Sequence, residues 1–202
     1  MTTSTRHRLV ESCSTMLTRQ GFAGSGLKQI AKAGDATIGS LYHFFPGGKE
    51  ELAAEALRAS GAAYQALVES IFESAPDVVS GVRACFEGAA DALEASDFAD
   101  ACPIATVALE VASSDERLRL VTAEVVAAWS TAATRHLERG GIGPDRAPVL
   151  ATTLIAALEG AFLLSRVTRT ATPMLAIGAV MADLVDRELA GGGTDPRGAP
   201  IR

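Results

Sequence analysis

Along most of this chain apolar residues recur three and four positions apart, the spacing of helices that bury one face. Leu9, Cys13, Met16 and Leu17 predict a first helix over roughly residues 5–20, ended by Gly21. Ser25 can cap a second, short helix with Leu27, Ile30, Ala31 and Gly34 inward and Lys28 and Lys32 outward. Asp35 falls at the following turn, and Asp is one of the few non-glycine residues that tolerate a left-handed backbone. Thr37 can cap a third helix, in which Leu41 and Phe45 face inward while Ile38, Ser40, Tyr42 and His43 lie wholly or partly off that face. A helix this short needs large apolar anchors, and Pro46-Gly47-Gly48 stops it. A long fourth helix then runs from Lys49 to about Glu73, with Glu50 and Glu51 where the helix dipole favours acids.

Ala75-Pro76-Asp77 breaks the pattern before a fifth helix marked by Val82, Phe86, Ala89 and Leu93. A loop over residues 96–101 leads to a shorter helix opened by Cys102-Pro103, then to a long helix capped by Ser114 and ending near Arg139. After a turn at residues 140–145, the last two helices cover about 146–168 and 173–189. Leu150, Leu154, Leu158 and Phe162 mark one, and Ile177, Val180, Met181 and Leu184 the other. Helices so apolar on more than one face are either central or shared with another subunit. The pattern predicts an all-α fold of about nine helices, and the glycine-rich stretch 191–202 reads as a disordered tail.

Composition supports a buried core, with 48% hydrophobic residues in 202. The net charge of −6 is unevenly placed: residues 1–50 carry six basic against three acidic side chains, and the remainder twelve against twenty-one. All the lysines, Lys28, Lys32 and Lys49, lie in that first quarter, so a cationic module is expected on an acidic body. Three scattered cysteines, Cys13, Cys85 and Cys102, show neither disulfide nor zinc-ligand spacing, and the expected compartment is the reducing cytoplasm. Residues 147–165 form the most apolar stretch, but Thr152, Thr153, Glu159 and Gly160 interrupt it; it reads as a buried helix, with no membrane partner.

Two short helices joined by a tight turn and backed by a supporting helix make a helix-turn-helix, whose second helix enters the major groove of DNA. Gly21-Phe22, Ser25, Ile30-Ala31, Thr37, Gly39, Leu41-Tyr42, Phe45, Lys49 and Leu52 stand at the spacing of the TetR family of bacterial transcription regulators, which this segment resembles. The string from Pro46 to Leu52, with Cys102-Pro103-Ile104, is similar to the LmrA/YxaF-like branch of that family. The chain departs from the usual pattern in having Gly34-Asp35 where Ala-Gly is common, and Ala36 where a larger aliphatic stands.

The resemblance implies a helix-turn-helix DNA-binding domain over 1–48 and a helical ligand-binding and dimerisation domain over 49–190. It implies a homodimer through the last two helices, a double-stranded pseudo-palindromic operator, and repression of efflux or detoxification genes relieved by a small apolar or aromatic effector. Carried onto this sequence, it assigns phosphate contacts to Ser25, Thr37, Tyr42, His43 and Lys49, and groove-facing positions to Ile38, Gly39 and Ser40. Hydroxyls, a lysine and helix-start amides suit phosphate oxygens, while Ile38 can meet a thymine methyl and Ser40 a base edge. Ser25 and Thr37 can equally be caps alone, and Tyr42 can pack between helices. With no arginine or lysine in the recognition helix, sequence reading rests on those contacts, on Arg6 or Arg8, or on DNA shape.

Candidate effector-site residues are Phe86, Leu93, Phe98, Cys102, Val107, Trp129, Glu159 and Phe162, apolar walls with one carboxylate to orient a ligand. Most of them would also serve as core in any helical bundle. An enzyme is disfavoured: His7, His43 and His136 are scattered, there is no Gly-rich phosphate loop, and neither metal nor cofactor is expected. A redox-responsive regulator using Cys102 and Cys85 stays open, because a helix-start thiol can have a lowered pKa.

Overall fold

The computed structural model describes residues 4–191. Within them lie nine helices and no strand: α1 (Thr5–Gly24), α2 (Leu27–Ala33), α3 (Ile38–Phe44), α4 (Gly48–Ser74), α5 (Val78–Ala95), α6 (Pro103–Val111), α7 (Glu116–Arg139), α8 (Ala147–Thr168) and α9 (Thr172–Gly191). Apart from Gly191, the stretch read as a disordered tail lies outside the described residues. The chain divides into two compact units. One holds the chain through Gln65 together with Ala99–Ala128, and the other Ala66–Phe98 together with the chain from Trp129.

In the first unit α1 packs on α2, α3 and α6, and Leu9, Cys13, Leu17, Ile30, Leu41, Phe45, Leu52, Leu57, Ile104, Val107 and Leu118 are buried. The expected apolar spacings in α1 to α3 supply these inward faces. Two expected caps are different. α2 starts from Gly26 with no side-chain cap, because Ser25 turns its hydroxyl back onto the carbonyl of Gly21, 2.6 Å away. α7 is capped by Asp115, whose Oδ1 accepts from the Leu118 amide at 3.0 Å; Ser114 instead donates to the Glu110 carbonyl at the end of α6. In both places a short polar side chain had two backbone groups in reach and bonded the preceding turn.

The second unit is built on α5, α8 and α9, with Val82, Phe86, Leu93, Leu137, Leu150, Met174, Met181 and Val185 in its core. Gly178 lets α9 approach α5 closely, since a Cβ there would come within 2.5 Å of Phe86 Cβ. The expectation that the apolar helix before residue 168 is buried needs correction. Only Ala147, Leu150, Ala151, Ala161 and Ser165 of α8 are buried, while Val149, Leu163, Leu164 and Val167 are exposed. Among the described residues α8 is the one helix long and apolar enough to cross a membrane, and most of its apolar stretch is not buried.

Candidate nucleic-acid interface

Three backbone bonds close the turn between α2 and α3: Gly34 N–H to Ile30 O, Asp35 N–H to Lys32 O and Ala36 N–H to Ala31 O. Asp35 takes the left-handed conformation expected of it, with φ 48°. Gly34 lies against α1; a Cβ on it would sit 3.2 Å from both the Arg8 carbonyl and the Ser12 hydroxyl. Arg8 then fixes the turn from behind, its Nε donating to Gly34 O at 3.0 Å and an Nη to Asp35 O at 3.1 Å. The carbonyls of Gly34 and Asp35 thereby gain a charged donor.

Thr37 caps α3 as expected, its hydroxyl accepting from the Ser40 amide at 3.0 Å and pairing with Ser40 Oγ at 3.0 Å. Thr37 and Gly39 are exposed and Ile38 and Ser40 half-buried, so the first turn of α3 has solvent-facing surface. Tyr42 and His43 are exposed as well, Tyr42 by 49%, with its ring beside Gly48. The inward anchors are Leu41 and Phe45, both fully buried. The two aromatic side chains thus divide the work: Phe45 docks the helix, and Tyr42 faces out.

Lys49 is half-buried, its ammonium 4.3 Å from the centroid of the Phe22 ring, a cation–π contact that orients the side chain. Glu51 closes the start of α4 by accepting from the Gly47 amide at 2.7 Å. Two expectations fail here. Ser25 is wholly buried and its hydroxyl is bonded to Gly21, so it has no surface to offer a phosphate. Arg8, considered as a reader of the sequence, is taken up in holding the turn, while Arg6 stays exposed and pairs with Glu55 through both terminal nitrogens, 5.3 Å over the Phe45 ring.

A further brace was not foreseen. Glu110 of α6 reaches α1, where Gly21 takes φ 68° and ψ −171°, and its carboxylate accepts from the amides of Phe22 at 3.2 Å and Ala23 at 2.7 Å. A second tie joins Arg19 to Asp100 at 2.9 Å. No periodic signal marks such partners, which are separated by 88 and 81 residues in sequence.

Of the anticipated effector-site residues, Phe86 and Leu93 are in the core of the second unit, and Phe98 and Phe162 pack against that core. Trp129 and Glu159, in the same unit, are half-buried; Cys102 and Val107 are buried in the first unit. The open groove found in the second unit is lined by Thr152, Thr153, Ala156, Ala157, Ile177 and Val180 among others, and includes none of the anticipated eight. The redox reading loses its basis. Burial pushes the Cys85 thiol up to about 12, keeping it protonated, and Cys102 is buried with its Sγ accepting from the Ala105 amide at 3.5 Å. Cys13 is likewise raised to about 12 by burial, with Lys49 opposing the shift.

Comparison with known proteins agrees with this geometry. Residues 12–56 match the family described as bacterial regulatory proteins, tetR family, and residues 78–180 match the C-terminal domain of LmrA/YxaF-like transcriptional regulators. The HTH-type transcriptional regulator YxaF of Bacillus subtilis is 31% identical, over 91% of this chain and 96% of its own. LmrA of the same organism, also an HTH-type transcriptional regulator, is 30% identical over 90% and 97% respectively. A TetR transcriptional regulator from Legionella pneumophila has the same fold, with a TM-score of 0.79 at 18% identity, covering 92% of this chain and 97% of its own. These are regulators of transcription and not enzymes.

Proposed function

The chain belongs to the TetR family and is a DNA-binding transcriptional regulator, and from that premise we propose that it is a repressor acting as a homodimer on a pseudo-palindromic operator. The observation that carries this reading is the capped, solvent-facing first turn of α3, held on a turn clamped by Arg8. Thr37, Tyr42, His43 and Lys49 are proposed to hold phosphates, and Ile38, Gly39 and Ser40 to face base edges. Ser25 supports the set from inside, through the carbonyl of Gly21.

The dimer is proposed to form through the outer faces of α8 and α9. Val149, Leu163, Leu164, Val167, Leu175 and Val180 are exposed there, an unusual amount of large apolar surface for two helices. The groove of small residues, Ala156, Ala157 and Ala176, allows close approach of a second helix pair. A two-fold dimer sets its recognition helices about 34–36 Å apart, one turn of DNA. The effector is proposed to be a small apolar or aromatic compound, with the regulated genes serving its efflux or detoxification. Half-buried Phe98, Trp129, Glu159 and Phe162 are the anticipated contacts that retain surface for it. Near-complete release requires the effector to prefer the DNA-incompetent conformer by roughly 10⁴-fold, about 5.5 kcal/mol. Work on chromosomal DNA would place the protein in the cytoplasm.

An anisotropy titration of the purified protein against the DNA upstream of its own gene, at fixed salt with random DNA as competitor, tests the reading. A complex that resists random competitor and weakens with one of a panel of efflux substrates is the expected result. No binding even at low salt would overturn it, and a monomer by light scattering at working concentration would overturn the dimer.

A further inference from the structure

We propose that Arg117, at the start of α7, is a DNA-phosphate contact lying far outside the helix-turn-helix in sequence. The proposal rests on the DNA-binding reading above and extends its surface. By sequence Arg117 falls within the segment expected to sense ligand, yet residues 99–128 pack in the same unit as the helix-turn-helix. Its Nη1 lies 3.5 Å from the point where a Cβ would project from Gly47, in the exposed turn between α3 and α4. Lys49 is two residues further on, in the first turn of α4, and the Tyr42 ring lies 3.7 Å from the corresponding point on Gly48. Arg117 is therefore at the same end of α4 as two of the proposed phosphate contacts, beside the positive end of a 27-residue helix.

The charge is also unclaimed. The first unit contains six arginines. Arg6 is paired with Glu55, Arg19 with Asp100, Arg58 with Glu124 and Arg119 with Glu116, while Arg8 is bonded to the turn carbonyls. Among the described residues Arg117, which is exposed, makes no hydrogen bond or ion pair. The neighbouring carboxylates have other partners: Glu51 takes the Gly47 amide, Asp115 the Leu118 amide, and Glu116 holds Arg119. A guanidinium left open beside a glycine turn can bind two oxygens of one phosphate through parallel N–H donors. Such a contact would add affinity and register without reading bases.

The test is a salt-series titration of full-length Arg117→Gln against the DNA upstream of its own gene and against a scrambled duplex. The slope of log K against log salt should become shallower by about 0.9 per protomer on both duplexes, with the preference between them unchanged. Arg117→Lys should keep most of the slope, and Arg83→Gln, an exposed arginine of the second unit, should keep all of it. The melting temperature of Arg117→Gln should match that of the parent, since no internal contact is lost. A parent slope retained by Arg117→Gln while Lys49→Ala loses slope would overturn the assignment and leave the DNA-binding reading intact. Failure of the parent protein to bind either duplex would overturn both.

Discussion

At the scale of single residues, a hydroxyl near a helix start can serve a phosphate or the protein itself, and here Ser25 and Thr37 are placed differently. Ser25 is sealed inside and bonded to Gly21 O, whereas Thr37 caps α3 from an exposed position. Ser25→Ala is expected to lower stability by about 1 kcal/mol, the worth of one buried hydrogen bond, with an unchanged salt slope of DNA binding. Lys49→Ala is expected to do the reverse: little change in melting temperature, weaker binding to all sequences alike, and a slope shallower by about 0.9 per protomer. Melting curves and salt-series titrations on the two variants check both; equal salt slopes for parent and Lys49→Ala would remove Lys49 from the contact set. Thr37, Asp35 and the anchors Leu41 and Phe45 were legible in the sequence because each expresses a local backbone requirement or a helical period. The burial of Ser25 was not, because a serine just before a helix can by sequence either cap that helix or bond the carbonyl four residues back, as it does here. The engagement of Arg6 and Arg8 was hidden for another reason: their partners lie 49 and 26 residues away.

At the scale of elements, α1 and α6 are joined where α1 leaves helical geometry. Gly21 has a conformation open almost only to glycine, and a Cβ there would fall 1.7 Å from Glu110 Oε1. Gly21→Ala therefore combines backbone strain with displacement of the Glu110 carboxylate, and is expected to cost about 2 kcal/mol or more. Glu110→Gln keeps one of the two acceptor oxygens and sets an amide N–H against the other backbone donor, and is expected to cost about 1–2 kcal/mol without the backbone strain. Chemical denaturation of the two variants is the check; a Gly21→Ala protein as stable as the parent would show that α1 can re-form without this bend. The succession of helices was readable from periodicity and from breakers such as Pro46-Gly47-Gly48 and Ala75-Pro76-Asp77. The grouping of α6 with α1 was not, since an amphipathic stripe states that a face is covered and leaves its partner unspecified. The same ambiguity affected the effector site, where Phe86 and Leu93 have the composition of a pocket wall and the burial of a core.

At the scale of the whole molecule, the apolar surface left on α8 and α9 and the exposed start of α3 are the features that a two-fold dimer on a two-fold operator would use together. The sequence left open whether the apolar C-terminal helices were central or shared. Their inner stripes are core and their outer residues, Leu163, Val167 and Val180 among them, remain exposed. In the proposed dimer this surface joins two copies so that their paired α3 helices occupy successive major grooves. The most direct measurement is a footprint of the purified protein on the DNA upstream of its gene. One protected region with dyad symmetry is expected, its half-sites centred about 34–36 Å apart along the helix axis. Protection without a dyad, or of a single half-site at saturation, would contradict it.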